Sequence, residues 1–415
     1  MKSLVAKATE KNFYMKDKSS ALDSQYIISG TRMDVSPAVM LSAAQGKSTP
    51  ENTDQDAEPI IDETVDPSPS GIVTDPTMTK EYLKLVKERL SGGLPLEISP
   101  EYSEALTRAK LAKALIDAIW MRGNFRIDDL CVDAAWKWNP DKVGNMAAFY
   151  ASVSALCDYL DCLGVSLGKY SFNRKSDLCL LSLKAGLNSD SSIENTEEQN
   201  EALDIPKDYP EGYSDPLIKD IPFRTDNPRL GKSRKCPSTL QGDPSNWIIY
   251  IPFDTCPPRM GGSVLAEVLG AKGGMAPEIL DPDYMIDCYE VVRELIEDGI
   301  VLSGVTVSQG GLMTALDAIS AGKGADIDMS EVLRSYGEND MSRILFSEIP
   351  GVVLEIKDYD YDYVDAELLL QDVAYYFIGH PSSTRKGVSI SNNGLSSISG
   401  ILESLLRSQT SEGED

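Results

Sequence analysis

The sequence predicts an α+β chain in which sheets are layered against helices. Three observations predict it. From residue 99 onward, helical and strand-like apolar patterns alternate; the stretch 186–244, which carries no such pattern, divides them into two blocks; and residues 1–75 carry little periodic apolar content. The expected organisation is an extended or disordered acidic arm over 1–75, a first α+β subdomain over 76–185, an inserted loop over 186–244, a second subdomain over 245–390 and a tail over 391–415.

The elements follow in chain order. Gln45 to Gly71 is rich in Ser, Thr, Pro, Asp and Glu, a composition that buries too little apolar area to offset the entropy of ordering. A short helix is expected from Thr79 to Leu90. Ser99-Pro100-Glu101 then supplies an N-cap with proline at the first helical position, and apolar residues at 105, 106, 111, 112, 115, 116, 119 and 120 form one helical stripe. Ile127 to Trp138 reads as a strand. Asn145 to Leu163 reads as a helix stopped by Gly164. Val165 to Phe172 and Leu178 to Lys184 are strand-like.

The stretch 186–244 is acidic and then proline-rich, well beyond the roughly 12–15 residues usual for a structureless connection. Its small basic cluster, Arg229, Lys232, Arg234 and Lys235, reads as a solvated turn in preference to an anion site. In the second block, Trp247 to Phe253 is a buried strand, Ser263 to Leu269 a short helix, and Tyr284 to Asp298 a strongly amphipathic helix ended by Gly299. Ile300 to Val307 is a strand, Gly311 to Ala321 a helix opened by a glycine pair, Gly351 to Ile356 a strand, Ala366 to Gln371 a short helix and Ala374 to Gly379 a closing strand. The tail from Ser408 to Asp415 is polar and acidic.

Charge excludes some functions. With 65 acidic against 39 basic side chains the net charge is -26, which opposes a nucleic-acid surface and an anionic membrane. It suits solubility, and in a sharper reading a basic partner protein. No apolar run reaches the approximately 20 residues that span a bilayer, and the lysine-containing start lacks the apolar core of a secretory signal. A cytoplasmic location is expected. The seven cysteines, at 131, 157, 162, 179, 236, 256 and 288, form no CxxC pair and an odd number; they read as free, mostly buried thiols. The single histidine, His380, makes a His-rich metal site or a triad with a histidine base improbable and reads as structural.

Several segments share an order with a known family. Val301-Leu-Ser-Gly-Val-Thr-Val-Ser-Gln-Gly-Gly-Leu-Met313 precedes Gly324-Ala-Asp-Ile-Asp328, and then comes Ile344-Leu-Phe-Ser-Glu-Ile-Pro-Gly351. Upstream lie Thr107 to Trp120, Ala134-Ala-Trp-Lys-Trp138, Gly144 to Leu156, Val165 to Phe172 and Gly261-Gly-Ser263. In this order they resemble the C-terminal synthetase half of phosphoribosylformylglycinamidine synthase, within the superfamily built on aminoimidazole ribonucleotide synthetase. The resemblance runs from about 99 to 380 and rests on the succession of motifs, none of which is specific alone. It implies the superfamily's N- and C-terminal subdomains, and an ancestral Mg-ATP site.

The departures fall on charge. The resemblance puts the family's helix Glu at Lys113 and its Asn at Asp117, one turn apart on one face. It puts the GED carboxylates at Asn145 and Met146, the acid of GKDS at Tyr170, the HD pair at Val305 and Thr306, and the second Asp of HDxSDGG at Gln309. Magnesium requires hard oxygen ligands, and an ammonium at position 113 repels it. Residues able to hold a phosphate remain at Lys169, Ser171, Ser308, Gly310 and Gly311, while Gly168, Phe346, Glu348 and Gly351 keep the framework. The expectation is a non-catalytic relative of the synthase, with no catalytic residue, no metal and no cofactor. It would act as a structural or regulatory assembly subunit that pairs with itself or another protein through the synthetase sheet. The alternative is an ATP-dependent synthase subunit that uses Mg-ATP beside separate ammonia-supplying and synthetase subunits.

Overall fold

The structure, a computed structural model, describes residues 21–47, 59–68, 71–188, 230, 233–271, 274–384 and 386–392. The chain divides into two compact units. The first comprises 1–66, 90–115 and 125–231; the second comprises 67–89, 116–124 and 232–415. Most of the insertion expected at 186–244, and nearly all of the tail at 391–415, lie outside the described residues.

The first unit opens with β1 (Tyr26–Ile28), β2 (Thr31–Arg32), α1 (Pro37–Ala44) and β3 (Ile60–Asp62). β1 pairs antiparallel with β2 and parallel with β3. Over the described residues 21–47 and 59–66 this corrects the expectation of a disordered or extended arm over 1–75. The apolar residues of this segment follow no sustained period, yet several are buried: Tyr26 and Leu41 are fully enclosed, and Ile28 and Ala38 nearly so. Tyr26 donates its hydroxyl to the Ala21 carbonyl at 2.6 Å and lies 5.2 Å from the ring of Tyr150. Such long-range anchoring leaves no periodic trace in a local window.

In chain order, α2 (Thr79–Ser91), in the second unit but for its last two residues, is followed by α3 (Ser103–Ile119), whose final turn also joins the second unit. The rest of the first unit holds β4 (Leu130–Lys137), α4 (Asn145–Cys162), β5 (Ser166–Asn173) and β6 (Leu180–Leu187). Strand order is β5-β4-β6, with β4 parallel to β5 and antiparallel to β6. Parallel neighbours need a crossover, and α4 provides it. Its Phe149 is fully buried among aromatic rings, with centroids 6.0 Å from Trp136, 5.8 Å from Trp138 and 4.5 Å from Phe172. Such rings contribute large buried area with preferred tilted geometry.

The second unit continues with β7 (Trp247–Pro252), α5 (Val264–Val268), α6 (Pro282–Glu297), β8 (Val301–Val307), α7 (Gly311–Ile319), β9 (Gly324–Asp328), α8 (Ser330–Tyr336), α9 (Met341–Phe346), β10 (Gly351–Ile356), α10 (Tyr361–Leu370), β11 (Tyr376–Ser382) and β12 (Gly387–Ser391). Its six-stranded sheet has the order β12-β9-β11-β7-β10-β8. The inner strands β7 and β10 are buried almost throughout. Glu355, within β10, is fully buried and accepts from Gln241 N at 2.7 Å, Asn246 Nδ2 at 2.9 Å and Ser303 Oγ at 2.8 Å. A buried carboxylate is tolerated when its lone pairs are filled in this way. Among the described residues no helix is long and apolar enough to cross a membrane. Six cysteines are buried and Cys162 is exposed, all with free thiols.

Candidate functional site

The motif residues fall in both units. In the first, they gather at the start of α4 and along β5. The chain enters α4 through Gly144, whose φ of 89° lies in the left-handed region and whose added Cβ would run into the Val65 side chain; only glycine fits there. The first turn of a helix exposes amides without internal partners. Here Asp62 of β3 fills them: one carboxylate oxygen accepts from Gly144 N at 2.8 Å, and the other from Met146 N at 2.8 Å and Ala147 N at 3.0 Å. A negative charge at that end also complements the helix dipole.

Asn145 is almost fully buried. Its side chain donates to the Asn139 carbonyl at 2.8 Å, and its own carbonyl accepts from Trp138 Nε1 at 2.7 Å. It fastens the β4–α4 connection. On β5 the Lys169 amide donates to buried Asp133 at 2.6 Å, and Gln45 Nε2 donates to the Gly168 carbonyl. Tyr170 is half-buried and Ser171 exposed. Burial pushes the Tyr170 hydroxyl above the usual phenol range; Asp23 adds to the rise, and a hydrogen bond with the Ser42 side chain opposes it. A cavity of about 340 Å³ opens at this end of α4, lined in part by Asp62, Lys142, Val143, Met146, Phe172 and Arg174. Lys113 is half-buried in the middle of α3.

In the second unit two substituted positions meet directly. Thr306 Oγ1 donates to Asp117 Oδ1 at 2.7 Å and accepts from Trp120 Nε1 at 2.8 Å. At the start of α7, Gly310 N donates to Glu348 at 2.9 Å, and the same oxygen accepts from Val264 N, at the start of α5, at 2.8 Å. Gly311 N donates to the Ser308 carbonyl at 2.8 Å. Both glycines have positive φ, and a Cβ on Gly311 would lie 2.6 Å from the Leu345 carbonyl oxygen. The pair allows backbone to pass close to backbone, and a phosphate at this terminus would find the Gly310 amide engaged. Ser308 and Gln309 are half-buried.

Of the basic cluster in the insertion, Arg229 and Lys232 lie outside the described residues. Arg234 sits 5.1 Å over the Trp120 ring and donates to the Gly304 carbonyl at 2.6 Å, while Lys235 pairs with Glu297. His380 packs on Trp247 with ring centres 4.0 Å apart, and its Nδ1 lies 2.9 Å from the Asn246 carbonyl. Sequence reasoning missed Asp62 and Asp133 as partners of the motif amides. Asp62 is 82 residues before Gly144, and nothing local to it signals that contact.

The fold is thus α+β, in two units, with the ordered motifs divided between them. Comparison with known proteins narrows the class. No protein-family profile matches the chain. A probable chloroplastic/mitochondrial phosphoribosylformylglycinamidine synthase of Arabidopsis thaliana is 38% identical over 124 residues, covering 29% of this chain and 8% of that protein. The phosphoribosylformylglycinamidine synthase of Drosophila melanogaster is 30% identical over 132 residues, covering 29% and 10%. The probable membrane antigen 3 of Saimiriine herpesvirus 2 is 34% identical over 135 residues, covering 32% and 10%. The matches thus span at most 10% of these relatives' length. Among solved structures, T. maritima PurL complexed with FGAR aligns with a TM-score of 0.49 at 11% identity, over 77% of this chain and 52% of that one. Over these stretches the chain is related to phosphoribosylformylglycinamidine synthase.

Proposed function

We propose that this chain is a non-catalytic relative of phosphoribosylformylglycinamidine synthase that serves as a structural or regulatory assembly subunit. One observation carries the reading: Asp117 and Thr306, two positions that the resemblance assigns to Mg-ATP, are hydrogen-bonded to each other at 2.7 Å. Another substituted position adds to it: the Asn145 side chain is turned to the backbone of its own loop. Two amides at motif helix starts are also engaged, by Asp62 and by the retained Glu348. Among the described residues no group of three or more His, Cys, Asp or Glu side chains is placed to hold a metal ion. The reading is supported by the residues at the positions the resemblance gives to acids: a magnesium–triphosphate cradle needs several hard oxygen ligands, and Lys113, Met146 and Tyr170 carry no carboxylate.

The partner is a second copy or another protein, met through the synthetase sheet, and the compartment is the cytoplasm. Calorimetric titration of the full chain with ATP and magnesium tests the central claim. No saturable heat is expected at millimolar nucleotide. Magnesium-dependent binding in the micromolar range would return the chain to the alternative, an ATP-dependent synthase subunit acting with separate ammonia-supplying and synthetase subunits. Light scattering of the purified chain tests the pairing, and imaging of the tagged chain tests the compartment.

A further inference from the structure

We infer that the surface formed by α10 and the adjoining ends of β7 and β11, in the second unit, is a docking site for an arginine-bearing segment of a basic partner protein. The inference does not depend on whether nucleotide binds.

Aromatic rings stand together there. Trp247 lies 5.3 Å from Tyr361 and 5.6 Å from Phe377, Tyr361 lies 4.2 Å from Phe377, and Tyr375 lies 5.7 Å from Phe377. These four side chains are half-buried, not enclosed. On the same segment, α10 and the turn before it, Tyr359 is 91% exposed, Tyr363 45%, Leu369 64% and Leu370 78%. Large apolar side chains clustered on a surface mark a contact site far more often than scattered ones do.

The second observation is charge. The segment Lys357-Asp-Tyr-Asp-Tyr-Asp-Tyr363 alternates carboxylates with rings, and Asp365 and Glu367 follow. Asp358 accepts from Trp247 Nε1 at 2.8 Å, and Asp365 accepts from the Tyr375 hydroxyl. Carboxylates outside α10 add to the field on this segment. Beyond the effect of burial, Glu331 of α8 raises the Tyr361 and Tyr375 hydroxyls, and Glu294 of α6 and Asp298 just past its end raise that of Tyr363. The surface is therefore apolar, flat-faced and negative in field. Lys357 is the one basic side chain within 357–372.

Ring faces beside carboxylates select a cation that is planar and weakly hydrated. Guanidinium stacks on aromatic faces and pairs bidentately with carboxylates, whereas ammonium keeps its water. This complementarity commits the site to arginine over lysine, and to a protein segment over nucleic acid, whose phosphates the field repels.

The test uses the full chain and an octa-arginine peptide. Of the four tryptophans, Trp120, Trp136 and Trp138 are at most 1% exposed, so a ligand at this surface changes the emission of Trp247. The expected results are a saturable emission change, abolished in Trp247→Phe while calorimetric binding persists, and weaker binding of octa-lysine by about three-fold or more. Neutralising the patch in Glu331→Gln/Asp360→Asn/Asp362→Asn weakens octa-arginine binding by about five-fold or more, while the equally neutralised Asp128→Asn/Asp161→Asn/Asp177→Asn in the first unit changes it by less than about two-fold. Circular dichroism checks that both variants fold. Equal loss in the two triple variants, or saturation without any Trp247 response, overturns the proposal, because net charge alone then accounts for the binding.

Discussion

Thr306 joins two residues of the α3 end. Its hydroxyl donates to Asp117 at 2.7 Å and accepts the Trp120 indole at 2.8 Å, so one side chain satisfies a carboxylate and a buried ring nitrogen together. Thr306→Val keeps the shape and β-branching but leaves both partners short of a bond. An unsatisfied buried group costs about 1–3 kcal/mol, so urea unfolding should show a loss in that range with an unchanged m-value. A loss below about 0.5 kcal/mol would mean that water replaces the hydroxyl.

Asp62 tests the anchoring of the early segment. It holds three amides at the start of α4, and loss of a side-chain cap costs about 0.5–2 kcal/mol. Asp62→Ala should fall in that range, and hydrogen exchange at the 146 and 147 amides should accelerate more than exchange in the middle of α4. If exchange rises evenly along the helix, Asp62 contributes to stability globally and not as a cap.

The sequence revealed these features unevenly. Strands and helices with their own apolar period were legible: β10 was expected and found at Gly351–Ile356, and α4 differs from its expected span by one residue. β9 and β12 were missed because they are short and glycine-led, and exist through pairing with each other and, for β9, with β11. α8 and α9, of seven and six residues, are too short to show a helical stripe. Substituted motif positions could be named from their order along the chain. Their partners could not, because Asp62, Asp133 and Glu348 reach their amides across 36 to 85 residues.

Two glycines separate backbone conformation from close packing. Gly164 and Gly311 share nearly the same φ, 68° and 71°, but a Cβ on Gly164 meets nothing within 4 Å, whereas one on Gly311 would lie 2.6 Å from the Leu345 carbonyl oxygen. Gly164→Ala should cost about 1–2 kcal/mol, the left-handed penalty alone. Gly311→Ala adds a clash with fixed backbone and should cost at least about 1 kcal/mol more. Equal melting temperatures for the two variants would show that the α7 start yields to the methyl group.

Asp254 predicts a pH dependence. The residue is 2% exposed; one oxygen accepts from Cys256 N at 2.8 Å, and the other from Leu280 N at 3.1 Å and Asp281 N at 3.3 Å. Burial raises its pKa above the usual carboxylate value, although these amide bonds pull the other way. The folded chain therefore holds this proton more tightly than the unfolded chain does. In the window between the unfolded value, about 3.9, and the raised folded value, stability contributed by this group falls as pH rises; above that window the loss is complete. Asp254→Asn removes the titration. It also turns an amide donor toward at least one backbone N–H, which costs about 1–3 kcal/mol. Wild type minus variant, measured by urea unfolding from pH 3.5 to 7, cancels the other carboxylates. That difference should be largest at the acid end and shrink toward neutrality. A difference that grows with pH would mean that the three amides outweigh burial and that the folded carboxylate titrates below its usual range.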